Sequence, residues 1–235
     1  MRILVVGSCT KSKEDSGSPA SLRLTEADFE EIGRLRVREQ QLAKWIHPAA
    51  EMYTGRQHTQ MMDGVCILRS TFGSEVCQVA IVSAGYGLLA EETPIVPYDI
   101  TFHGMQKTRI RDRGERLEIP EGIRKTIVGH RLIFLLLGDD YLLSIRPPLN
   151  PAPGQKIIAF GSARLRHVPH SDVVVVPAER EAAREFRDGM TTVKGKMFNL
   201  LAKGLVQEPS MWDSLLSDRT PETVLRLIRR GGQIQ

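Results

Sequence analysis

Two short runs carry the carboxylates best placed for chemistry. In Pro97-Tyr98-Asp99 a carboxylate follows a rigid residue and an aromatic ring, and in Gly138-Asp139-Asp140-Tyr141 two more follow a glycine. A carboxylate held on a fixed loop can stabilise developing positive charge or take a proton from water. Pro97 restricts Val96 to an extended backbone and stiffens the approach to Asp99, which makes Asp99 the first catalytic candidate and Asp140 the second. For Asp139 and Asp140 a structural alternative stands beside this: they cap the helix that follows.

A third run, Ser8-Cys9-Thr10-Lys11-Ser12-Lys13, offers hydroxyl, thiol and ammonium groups. Lys11 and Lys13 suit phosphate oxygens, with Ser8 and its neighbours as donors beside an anion-binding nest, and a solvated loop is the alternative. The run is neither a Walker loop nor a dinucleotide turn, since the required glycines are absent. Cys9 among lysines is a candidate reactive thiol, against the commoner fate of a buried structural cysteine. All four tyrosines, Tyr53, Tyr86, Tyr98 and Tyr141, lie in or beside loops marked by Gly or Pro. That placement predicts ring faces and hydroxyls lining a cleft for a flat ligand, with rim packing as the alternative. In Ser83-Ala84-Gly85-Tyr86-Gly87 the two glycines permit close approach of backbone to a ligand, adding Ser83 and Gly87 to the candidates. The six histidines show no His-x-x-x-His or His-Glu-x-x-His spacing, so neither a metal nor another cofactor is expected.

These residues need strands that end in them. Ile3 to Val6, Val79 to Val82, Leu132 to Leu137, Lys156 to Phe160 and Val173 to Val176 are apolar runs of the kind buried on both faces of a parallel sheet. Four end in small, polar or charged residues: Ser8 to Lys11, Ser83 to Tyr86, Gly138 to Tyr141 and Gly161 to Arg164. In an open α/β sheet such ends share one edge, so the four segments are expected to converge on one cleft. Between them the pattern predicts a helix from Thr25 to about Trp45, a helical segment from Ala49 to Arg69 interrupted near Tyr53-Thr54-Gly55, and a loop from residue 103 leading to a helix start near Pro120. A helix from Glu179 to Phe186 and further helices, broken at Glu208-Pro209, complete a single α/β domain over 1–235 with a helical segment at 179–235. The fold class expected is a three-layer α/β/α sandwich with a mostly parallel central sheet.

The chain of 235 residues is long enough to bury its own core. Three cysteines without a Cys-x-x-Cys pair suit a reducing cytoplasm, and no apolar run approaches the roughly 20 residues needed to span a bilayer. A net charge of +4 is compatible with a polyanionic partner. Most of the local basic density, Lys107, Arg109, Arg111, Arg113, Arg116, Arg124 and Lys125, falls in 103–125.

Taken in order, Ser8-Cys9-Thr10-Lys11-Ser12-Lys13, Tyr53-Thr54-Gly55, Ser83-Ala84-Gly85-Tyr86-Gly87-Leu88 and Pro97-Tyr98-Asp99 resemble a family of bacterial and archaeal domains of unknown function often labelled YaaA-like, over residues 1–105. Gly138-Asp139-Asp140-Tyr141 extends the likeness. That family is similar in fold to the uracil-DNA glycosylase superfamily, and members similar to it are linked to phage defence by excision of modified bases. The resemblance therefore implies a DNA glycosylase that flips a modified base, such as a hypermodified cytosine, and hydrolyses its N-glycosidic bond. It implies DNA as the partner, Lys11, Lys13 and Arg164 on backbone phosphates, and Lys107, Arg109, Arg111 and Arg113 along the duplex. The water-activating motif of uracil glycosylases is absent after the first strand, which puts uracil itself in doubt. Two alternatives remain: an N-ribosyl hydrolase or transferase on a small nucleoside or nucleotide, which uses the same cleft but needs no basic track, and a non-catalytic DNA-binding stress protein, which needs Arg109, Arg111 and Arg113 but not the Asp99 carboxylate.

Overall fold

A computed structural model describes residues 2–14, 22–161 and 173–233. The chain opens with β1 (Ile3–Ser8), then α1 (Ile32–Gln41), β2 (His47–Pro48), α2 (Ala49–Met52) and α3 (Arg56–Phe72). Next come β3 (Cys77–Ser83), β4 (Gly87–Ala90), β5 (Pro94–Ile95), α4 (Lys107–Arg116), α5 (Ile119–Thr126), β6 (Leu132–Leu135) and α6 (Asp139–Ser144). The last part holds β7 (Lys156–Gly161), β8 (Val173–Pro177), α7 (Arg180–Glu185), α8 (Val193–Gln207), α9 (Met211–Ser217) and α10 (Glu222–Gly231).

Six strands form the central sheet in the order β4-β3-β1-β6-β7-β8, every neighbouring pair parallel except β3 with β4. The expected α/β/α architecture is what forms. Ile3, Leu4, Val5 and Val6 are wholly buried, as are Ile133 and Phe134 beside them, because helices cover both faces. Strand order runs from β1 outward to β3 and then back across to β6. Right-handed crossovers therefore put α3 on one face and α4 with α5 on the other. On the first face α8 packs between α3 and α10. A Cβ at Gly195 would overlap the Gln57 carbonyl, so α8 lies against the start of α3 at backbone distance.

Three local expectations change. The turn Ser83 to Gly87 closes an antiparallel hairpin, with Ser83 paired to Gly87. Gly87 has φ +81°, and a Cβ there would press on the Leu117 carbonyl at 2.8 Å, so the turn and its packing themselves require glycine here. Residues 107–116, expected as loop, are helical, since Arg, Glu and Lys are good helix formers and no proline interrupts them. The segment expected as one helix from Thr25 divides. Asp28 Oδ2 accepts from Thr25 N at 2.7 Å and closes a short 3-10 turn, Glu26–Phe29, before α1 begins. No helix among the described residues is long and apolar enough to cross a membrane.

Candidate active site

The order of the sheet reverses at β1, and ligands of open α/β sheets bind beyond the strand C-termini at such a point. There the ends of β1, β6 and β8, the 101–103 loop and the starts of α3 and α8 enclose a cleft of about 810 Å³. Two of the four expected strand ends, Ser8 to Lys11 and Gly138 to Tyr141, meet in it. Arg164, expected on phosphates, lies outside the described residues.

The β1 end is pinned from both sides. Cys9 N donates to Val82 O at 2.9 Å, continuing the pairing with β3, and Thr10 Oγ1 accepts from Gly55 N at 3.2 Å just before α3. Ser8 and the exposed Lys11 face the cleft. Lys13 lies inside the fold and not on the cleft wall: it is 7 % exposed, its Nζ donates to Thr10 O at 2.9 Å, and the ammonium sits 4.3 Å from the Tyr98 ring centre. Its backbone pairs with Tyr53 in an antiparallel bridge, and that pairing turns the side chain inward onto the aromatic faces.

The β6 end supplies the carboxylates. Gly138 is the N-cap of α6, so neither aspartate is the capping residue. Asp140 turns instead to the neighbouring loop, where Oδ2 accepts from Gly104 N at 3.3 Å and lies 3.6 Å from His103 Nδ1. Its side chain stays one-third exposed, at 33 %. Tyr141 Oη bridges Cys9 Sγ at 3.0 Å and Thr101 Oγ1 at 3.1 Å. Burial, with the Cys9 thiol beside it, pushes the Tyr141 phenol well above its usual range, so it stays a neutral hydroxyl at the cleft wall.

The far wall was not legible in the sequence. Glu179 lines it after β8, and Lys194 lines it from the first turn of α8. Burial pushes the Lys194 ammonium below the ordinary lysine range, and the Asp139 charge opposes that shift. The start of α8 is held by Asp188, whose carboxylate accepts from Thr192 Oγ1, from Gly189 N at 2.6 Å and from Gln60 Nε2 at 2.7 Å, with Arg56 Nε at 3.4 Å. Thr192, the N-cap immediately before Val193, and Asp188-Gly189 upstream of it are the sequence signals that mark this helix start.

Asp99 is not part of the cleft. Tyr98 pairs with Leu24 in a parallel bridge, and Asp99 N donates to Leu24 O at 2.8 Å. Neighbouring side chains of an extended backbone point to opposite sides. Tyr98 takes the inside, at 0 % exposure, and Asp99 takes the solvent. Pro97 does fix the approach, but it fixes the carboxylate outward.

Three of the four tyrosines also leave the cleft. Tyr98 Oη lies 2.8 Å from Tyr53 Oη and 2.7 Å from Ser83 Oγ, and Ser83 Oγ accepts from Gly85 N and Tyr86 N. Tyr53 and Tyr98 are buried, and Tyr86 stacks edge-on against Tyr98 and Phe29 at 5.4 and 5.0 Å. Ser83, Tyr53, Tyr86 and Tyr98 thus build a hydrogen-bonded aromatic core behind the site, and Tyr141 alone contributes a hydroxyl to it.

The basic stretch is largely spent within the fold. Arg113 is 3 % exposed and donates to Ala84 O at 2.6 Å and Glu26 Oε1 at 2.9 Å. Arg109 pairs with Glu26 at 2.7 Å, and Arg116 grips Glu30 with two bonds of 2.7 and 3.0 Å. These three share one face of α4, while Lys107 and Arg111, four residues apart, are exposed on the other. Among the described residues no group of three or more His, Cys, Asp or Glu side chains is arranged to hold a metal ion. No protein-family model matches the chain, and no curated protein is similar to it in sequence.

Proposed function

We propose that this cleft hydrolyses the N-glycosidic bond of a nucleotide, with Asp140 as the carboxylate that orients water and stabilises the positive charge developing on the sugar. The observation that carries the reading is Asp140 itself. Its carboxylate is held by the Gly104 N–H, remains open to the cleft, and shares that cleft with the Lys11 cation. A carboxylate is what an oxocarbenium-like state requires, and a lysine across the site suits the phosphate of the same nucleotide. The neutral Tyr141 hydroxyl beside them can donate to a sugar or base oxygen.

A nucleotide within DNA carrying a modified base is the substrate that the sequence resemblance favours. The ion pairs of Arg109, Arg113 and Arg116 favour a second reading, a free nucleotide, because among the described residues they leave Lys107 and Arg111 as the cations of α4 that make no ion pair. Mass spectrometry of bases released from modified and unmodified DNA and from free nucleotides tests both. Release by the wild type that is abolished in Asp140→Asn and kept in Asp99→Asn supports the assignment; the reverse pattern removes it. A DNA substrate gripped at several phosphates loses orders of magnitude in affinity between about 50 and 200 mM salt, and a free nucleotide does not.

A further inference from the structure

Lys194 lines the cleft, and hydrolysis at Asp140 assigns it no task. Its backbone is fixed on both sides. The next residue, Gly195, lies against the Gln57 carbonyl, and Gln57 also lines the cleft and donates to Leu136 O at 3.1 Å. One turn earlier, Asp188 ties Gly189 and Thr192 to Gln60 and Arg56 of α3. The amine therefore projects from a fixed point at the positive end of a helix of 15 residues, which disfavours its protonation. Among the described residues it makes no side-chain hydrogen bond; its charged neighbour is Asp139. The other charged or titratable groups lining the cleft are Cys9, Lys11, His103, Asp140, Tyr141 and Glu179.

We propose that Lys194 is an amine nucleophile that condenses with the C1 aldehyde of a pentose phosphate, the ring-opened sugar left when a base departs. The inference rests on the N-glycosidic reading of the same cleft. The Nζ lone pair adds to the carbonyl carbon, forming a C–N bond, while the C=O π pair moves to oxygen and a proton passes from nitrogen to that oxygen. The hydroxyl so formed takes a proton from solvent and leaves as water, giving a protonated imine. No electrons are gained or lost. Burial that holds the ammonium below the usual lysine range raises the share of free amine, the form which the addition needs.

The test is borohydride trapping on the full chain, with free 2-deoxyribose 5-phosphate in one arm and an abasic oligonucleotide in the other. Peptide mass mapping should place the reduced adduct on Lys194. It should vanish in Lys194→Arg, since a guanidinium stays protonated, and persist in Lys196→Arg. An adduct in one arm alone identifies whether the sugar arrives free or within a strand. No adduct on Lys194 in either arm, or label spread equally over Lys196 and Lys203, overturns the proposal, and the wild-type map reads this even where a variant folds poorly. Both probes are already aldehydes, so an adduct without base release would keep Lys194 and remove the glycosidic reading. Base release without an adduct would remove Lys194 alone.

Discussion

Cys9 Sγ and Tyr141 Oη lie 3.0 Å apart and join the end of β1 to the first turn of α6 across the floor of the cleft. The same hydroxyl reaches Thr101 at 3.1 Å, so one phenol ties together three segments of the site. Tyr141→Phe keeps the ring and its edge-on packing against Phe102 but loses both bonds. We expect base release to fall about tenfold while unfolding shifts by about 1–3 kcal/mol, roughly 1 for each bond lost. Parallel kinetics and urea titration check this, and an unchanged rate would remove the hydroxyl from the chemistry.

Tyr98 and Tyr53 make an unequal pair. Tyr98 Oη meets both Tyr53 and Ser83, whereas Tyr53 Oη meets Tyr98. Tyr98→Phe leaves two buried hydroxyls short of a partner and should cost about 1–3 kcal/mol. Tyr53→Phe leaves Tyr98 its bond to Ser83 and should cost less. Urea unfolding of the two variants gives the order directly.

Asp188 makes stability depend on acid. Burial pushes its carboxyl up, but the bonds from Thr192, Gln60 and Gly189 and the Arg56 charge outweigh that and hold it below the usual carboxylate range. A depressed folded pKa stabilises above the unfolded value of about 3.9 and loses that stabilisation as pH falls through the folded value. Asp188→Asn should therefore lower thermal stability at pH 7 and flatten its decline below about pH 4. A Tm series from pH 7 to 3 on both proteins is the check, and parallel curves would count against the argument.

Arg113 and Arg111 separate folding from binding. Arg113→Ala removes the donor from the buried Ala84 carbonyl and should cost about 1–3 kcal/mol. Arg111→Ala, at an exposed position, should change stability by less than about 0.5 kcal/mol. If DNA is the substrate, Arg111→Ala together with Lys107→Ala weakens its binding and lowers the salt slope by about 2. Unfolding curves and salt titrations of DNA affinity distinguish the two effects.

Lys194 ties stability to alkaline pH. Its folded pKa is lowered, chiefly by burial, so between that value and the unfolded value of about 10.4 the unfolded chain holds the extra proton. Stability from this group therefore rises with pH across that window. Lys194→Met should be more stable than the wild type at pH 7, and the difference should shrink as pH climbs towards 10, as chemical denaturation at pH 7, 8.5 and 10 would read.

Elements and edges were legible because they follow from local patterning. Unbroken apolar runs at Ile3, Val79, Leu132, Lys156 and Val173 specify strands buried on both faces, and a parallel sheet puts their polar ends on one edge, so the place of the cleft and two of its walls followed. What tertiary structure decided was direction. Lys11 points out and Lys13 in, Tyr98 in and Asp99 out, because bridges from Lys13 to Tyr53 and from Leu24 to Tyr98 choose which side of an extended backbone faces the core. No residue type or spacing records that choice. Lys194 and Glu179 entered the site through packing of distant segments, α8 against α3 at Gly195 and β8 at the sheet edge, contacts between residues far apart in the chain. The sequence alone determined which groups the protein owns and which edge they approach; the long-range packing determined which of them meet.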